Sequence, residues 1–172
     1  VMAQLTWNPA QDGRAILDDY YRRGFGKAAA DLKAYWDLME ATRQTFVAKD
    51  CRYSEVYDAA FFDKAYGLLS RATNAVAGEP ELYRRRVEFV RAGLDYTRLI
   101  VAIRDLMDQF RKSGKKDAAV EAKVRANWKD IERIVQEHPY AINWGPVRPL
   151  TPRMAGLHPD YAAAPKKKPL IF

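Results

Sequence analysis

The chain has 172 residues, with 29 Lys and Arg against 22 Asp and Glu and a formal net charge of +7. Its 48% hydrophobic and 12% aromatic content is too high for a disordered chain and suits one domain, or at most two, with a real core. A lone cysteine, Cys51, excludes an intramolecular disulfide, and no apolar run reaches the ~20 residues of a membrane-spanning helix.

Residues 1–7, VMAQLTW, carry no helix start signal and read as the end of a preceding domain or a linker. Asn8-Pro9 then opens a first helix: Asn8 suits the cap, Pro9 the first helical position, and Gln11 the reciprocal capping place. Ile16, Leu17, Tyr20 and Tyr21 form its apolar side, and Gly24-Phe25-Gly26 stops it, with Phe25 turned back onto the core. A second helix over 28–49 puts Leu32, Tyr35, Trp36, Met39 and Phe46 on one face. A polar break at 50–54 precedes a third helix over 55–76, which buries Tyr57, Phe61, Ala65, Leu68, Leu69, Ala72 and Val76. Gly78 and Pro80 mark the corner that follows.

The organising element is the fourth helix, 81–112, with no proline and a single glycine, Gly93. One apolar stripe is Tyr83, Val87, Val90, Leu94 and Val101; a second is Phe89, Tyr96, Ile100, Ile103, Met107 and Phe110. A helix with two apolar stripes is sandwiched between neighbours, and at ~1.5 Å per residue this one is nearly 50 Å long. After the turn at 113–116, a fifth helix over 117–137 places Val120, Val124, Trp128, Ile131 and Val135 at helical spacing, and His138 caps its end. From 139 onward seven prolines forbid a long helix. The predicted fold is therefore all-α: an antiparallel bundle of about five helices over 8–138 with a long central helix. An extended proline-rich wrap follows over 139–161, and a flexible basic tail over 162–172.

Signatures of chemistry are sparse. His138 and His158 stand twenty positions apart, without Cys or His partners at metal-ligand spacing, so no metal or cofactor is expected. Lys49 and Arg52 flank Cys51, but without a nearby histidine it reads as a structural thiol. Asp18-Asp19, Asp58 with Asp63, and Asp105 with Asp108 are the carboxylate pairs to consider for glycoside hydrolysis, which needs two carboxyls spaced across a sugar. Each lies among lysines and arginines, where surface pairing accounts for it: Asp18 with Arg14 or Arg22, Asp108 with Arg104 or Lys112. The pairs Tyr20-Tyr21, Tyr35-Trp36 and Phe61-Phe62 have the chemistry to stack on sugars or bases, yet their helical spacing reads as core. Trp144, Arg148 and His158, in the irregular wrap, are the residues best placed to rim a substrate site.

The stretch 5–40, LTWNPAQDGRAILDDYYRRGFGKAAADLKAYWDLME, resembles the C-terminal helical part of a bacterial family of unknown function found in alpha-glucuronidase-like glycoside hydrolases. The likeness rests on Leu5, Trp7, Asn8 and Pro9; on Asp12, Tyr20 and Tyr21; on Phe25, Gly26, Ala28 and Ala29; and on Tyr35 and Trp36. RRRVEFVRAGLDYTRL, residues 84–99, is similar in style. The resemblance implies a helical accessory domain, inactive by itself, behind an upstream catalytic barrel that supplies the acid and base. Such a domain braces the barrel, can form a homodimer interface, and meets the glycan substrate only through its parent, which is expected to be secreted or periplasmic. No catalytic residue of the family falls on this chain. The rival reading is a free-standing helical protein-interaction module. A third is a basic nucleic-acid binder using Arg84, Arg85, Arg86 and the lysine tail, but no single helix face collects the charge, so neither nucleic acid nor membrane is expected as a partner.

Overall fold

The computed structural model describes residues 6, 8, 10–49, 53–114 and 117–142. Among the described residues there is no strand; the elements are α1 (Gly13–Phe25), a 3-10 turn (Gly26–Ala28), α2 (Ala29–Lys49), α3 (Tyr53–Val56), α4 (Ala59–Ala75), α5 (Glu81–Lys112) and α6 (Ala118–Glu137). The protein is an all-α bundle. Its helices gather in two compact units whose boundary falls inside α5, between Arg91 and Ala92. Most of the expected wrap, 143–161, and the basic tail lie outside the described residues.

In the first unit α1, α2, α4 and the start of α5 surround a core set by regular spacing. Ala28, Leu32 and Tyr35 stand at i, i+4 and i+7 on the α2 side, and Ala65, Leu69 and Ala72 repeat that interval on α4; all six are buried. Helices α2 and α4 are direct neighbours, and the alanines at these positions let the two backbones approach closely. Val87 and Val90 of α5 are buried too. Two ion pairs tie elements distant in sequence: Lys27 with Glu79 at 2.7 Å and Arg71 with Asp31 at 2.9 Å.

The ends of these helices follow local chemistry. Asn8 does not start a helix: its Oδ1 accepts from the Ala10 amide at 3.2 Å and its carbonyl from the Gln11 amide at 3.3 Å, which makes a turn. Asp12 is the cap, accepting from the Arg14 amide at 2.9 Å, so α1 begins about a turn later than the sequence signals place it. The expected third helix is divided. Asp58 accepts from the Phe61 amide at 2.8 Å and opens α4, leaving α3 as a separate single turn. At the end of α1, Gly26 takes φ 52° and its amide donates to the Arg22 carbonyl, while Phe25 is buried as expected. A Cβ at Gly26 would sit 3.2 Å from the Tyr83 ring.

The second unit is an antiparallel helical hairpin of α5 and α6, joined by a short turn in which Gly114 takes φ 69°. Asp117 caps α6 by accepting from the Ala119 and Val120 amides at 3.1 and 3.0 Å, and the His138 amide closes the helix by donating to the Ile134 carbonyl at 2.8 Å. One cluster joins Ile103, Met107 and Phe110 to Val124, Trp128, Ile131 and Val135, and Ile142 reaches it after the helix has ended. Over the α5 side, the Arg104 guanidinium lies 4.3 Å from the centre of the Tyr53 ring, and Tyr53 stacks on Tyr57.

Truncating Leu69 or Ile131, both fully buried, to alanine is expected to cost about 2–5 kcal/mol each in urea unfolding, because each leaves a cavity that helix packing cannot close. Gly26→Ala is expected to cost about 1–3 kcal/mol in the same assay, since an L side chain is strained at this positive φ before it meets Tyr83.

Candidate functional site

The sequence leads one to expect α1 to bury Ile16, Leu17, Tyr20 and Tyr21. The structure corrects this. Leu17 is 41% and Tyr20 56% exposed, and Ile16 and Tyr21 are only partly covered. Trp36 of α2, at 43%, and Phe89 of α5, at 46%, also leave the core faces assigned to them. The physical reason is rotation around each helix. Leu32 and Tyr35 aim α2 at α4, which turns the next residue, Trp36, to the side, and Val87 and Val90 do the same to Phe89.

These side chains meet in one open groove of about 930 Å³ on the first unit. Ile16, Leu17, Tyr20 and Phe25 form the α1 wall, Trp36 comes from α2, and Phe89 and Val90 come from α5. The aromatic walls are braced by rings behind them. Tyr20 stands edge-on to the buried Phe25, with centroids 6.0 Å apart, and to Tyr21 at 5.4 Å. Trp36 is edge-on to the buried Tyr35 at 5.4 Å. Such edge-to-face pairs add about 0.5–1.5 kcal/mol beyond the area buried and hold exposed rings in fixed orientations.

The charged part of the groove consists of Arg23, Arg85 and Arg86 against a single acid, Asp19. Asp19 is engaged already: one oxygen pairs with Arg22, and the other lies 2.8 Å from Arg23. Hydrogen bonding from Arg23 is the largest influence on its carboxyl. Desolvation opposes it, and with the Arg22 hydrogen bond and both guanidinium charges added the carboxyl is held below the usual aspartate value. Arg85 pairs with Glu81 at 2.6 Å across one turn of α5. Arg86 instead donates 2.8 Å to the neutral Gly24 carbonyl, a bond that ties α5 to the end of α1 and keeps a full positive charge at the groove. Partial burial, with the Asp37 charge nearby, pushes the Tyr21 hydroxyl above the ordinary tyrosine value, so it stays neutral at physiological pH.

Elsewhere the charges pair along helices as expected. Arg43 grips Glu40 with Nε and Nη2 at 2.9 and 2.7 Å; with Gln44 adding a bond, the Glu40 carboxyl is lowered to about 2. Asp108 pairs with Arg111 at 2.7 Å, the residue next to Lys112, and not with the expected Arg104 or Lys112. Asp58 is a helix cap, and Asp19 rather than Asp18 carries the α1 ion pairs. Among the described residues no three His, Cys, Asp or Glu side chains stand close enough to hold a metal ion, and no helix is long and apolar enough to cross a membrane. Trp144, Arg148, His158 and Cys51 lie outside the described residues.

Sequence reasoning missed the groove because it assigned every apolar residue at helical spacing to the core. Two signals were available. Tyr35-Trp36 and Tyr20-Tyr21 are adjacent pairs, and neighbouring residues on a helix do not share a face. Phe89 is seven positions from the next member of its stripe, with arginines at 84–86 and 91 beside it. No known family model, curated protein or solved structure matches this chain.

Because the folded-state pKa of Asp19 is depressed, its stabilising effect is present above the free carboxylate value of ~3.9 and is lost as pH falls through the lower folded value. The thermal midpoints of wild type and Asp19→Asn are therefore expected to differ by a constant small amount near neutrality. The gap should close only well below pH 4 in a melting series followed by circular dichroism.

Proposed function

We propose that this chain is a non-catalytic helical accessory domain of a glycoside-hydrolase-like protein, bracing a catalytic barrel that lies upstream of it. The docking part of this reading rests on one observation: an open, braced groove that presents Leu17, Tyr20, Trp36 and Phe89 with three arginines around it. Tryptophan, tyrosine and arginine are the residue types that dominate binding energy at protein interfaces, and contiguous exposed apolar surface on a folded unit marks such sites. The parent class rests on the resemblance of residues 5–40, whose Tyr20, Tyr21, Tyr35 and Trp36 are the residues that form and brace the groove.

In this role the chain contributes surface and stability, and the proton-transferring carboxylates belong to the barrel. The buried repeats of α2 and α4 hold the groove in shape, so little conformational entropy is lost when a partner surface seats there.

The coding frame upstream of Val1 is expected to continue through several hundred residues of alternating strand and helix pattern. In that parent, Asp63→Asn and Asp105→Asn within this chain should leave glycoside hydrolysis unchanged, whereas Trp36→Ala should lower the thermal midpoint of the whole protein. A start codon immediately before Val1, or loss of all hydrolysis on either carboxylate substitution, would overturn the proposal.

A further inference from the structure

The groove has the shape and charge to receive a specific kind of surface. Its walls are helix ridges at the regular interval: Ile16 and Tyr20 four apart on α1, Arg86 and Phe89 three apart on α5. A furrow between two such ridges accepts a third helix, whose own side chains at i, i+3, i+4 and i+7 fill it. Besides its arginines the groove offers the Tyr20 hydroxyl, the Trp36 indole N–H and Asp19, the last already engaged by Arg22 and Arg23, so few polar side chains are left for the many hydroxyls of a saccharide. Its remaining surface is aliphatic and aromatic.

Charge narrows the occupant further. Of the three arginines, Arg86 keeps its full charge beside a neutral carbonyl, and Arg85 is 73% exposed despite its pairing with Glu81. Arg23, paired with Asp19, is 75% exposed and free to turn toward an incoming carboxylate. Like charges brought against this rim are repelled, and acidic side chains gain bidentate partners.

We infer that the surface docking in this groove presents an acidic amphipathic α-helix, with bulky apolar residues seated between Tyr20, Trp36 and Phe89 and Asp or Glu on its flanks reaching Arg85 and Arg86. This rests on the docking role proposed above but is independent of the parent's chemistry. Trp36 is the anchor: it is the largest exposed ring in the groove, and Tyr35 behind it fixes its orientation. Asp19 acts as the counterweight that keeps the rim from becoming a general anion trap.

The test is selection of a displayed random library of peptides about 16 residues long against the purified chain, followed by fluorescence polarisation of the enriched peptides. Enriched sequences should carry Leu, Phe or Trp at helical spacing with Asp or Glu between them. Affinity should fall about tenfold or more in Trp36→Ala. It should fall also in Arg85→Gln, whose exposed side chain lies outside the core and whose helicity is checked by circular dichroism, and rise in Asp19→Asn. Raising salt from ~0.05 to ~0.5 M should weaken binding severalfold. Selection that yields no binder, or only neutral or basic peptides, overturns the inference. So does binding indifferent to both Trp36→Ala and Arg85→Gln, or displacement of the selected peptide by oligogalacturonate, which would make the occupant an anionic glycan. Acidic helices selected on a chain whose upstream frame encodes no barrel would uphold this inference while removing the accessory-domain reading; a barrel upstream with no such peptides would do the reverse.

Discussion

An uninterrupted helix from Glu81 to Lys112 is the element on which the rest depends. It contributes Val87 and Val90 to the core of one unit and Ile103, Met107 and Phe110 to the core of the other. Helix propensity alone does not hold 32 residues in one conformation in water; burial of an apolar face does. Because α5 serves two cores, a proline at the Arg91–Ala92 boundary would interrupt the one helix that both share. Gly93 is tolerated inside it since nothing packs on the space its side chain would occupy.

The groove follows from the same economy of faces. Each helix of the first unit has one stripe committed to the core, and the apolar residues left beside those stripes gather where α1, α2 and the start of α5 meet. Their rings do not hang loose. Tyr20 and Trp36 rest edge-on against the buried Phe25 and Tyr35, so the core orients what the surface displays. Arg86 adds a polar tie by donating to the carbonyl of Gly24, sixty-two residues away in sequence. Stability and the presentation of a binding surface thus share the same side chains, and the docking role proposed for this chain draws on that sharing.

Electrostatics adds selectivity to shape. Most of the ion pairs among the described residues lie within one turn of a single helix, as Glu40 with Arg43 and Glu121 with Arg125. Such pairs are weakly stabilising and are neutral toward partners. At the groove the balance differs, because Arg86 is satisfied by a carbonyl and one aspartate is shared between Arg22 and Arg23. The chain's overall positive charge is a poor guide to this local arrangement.

Much of the fold was legible in the sequence. Proline and glycine positions, with the 3.6-residue period, place α2, α5 and α6 nearly to the residue, since local sterics and capping act within a few positions. The buried sets of α4 and α6 were also readable, because Phe61, Ala65, Leu68, Leu69 and Ala72, like Val120, Val124, Trp128, Ile131 and Val135, each form a single stripe. Two helix starts were displaced, at Asp12 and Asp58, where an aspartate able to reach an amide two or three residues ahead prevails over the general apolar pattern. The division into two units and the candidate groove were not legible. Periodicity tells that Tyr20, Trp36 and Phe89 lie on apolar sides of helices, but burial depends on which neighbour each helix turns toward. That choice is made by contacts between residues far apart in sequence, such as α2 on α4 and Arg86 on Gly24, and only the tertiary structure decides it.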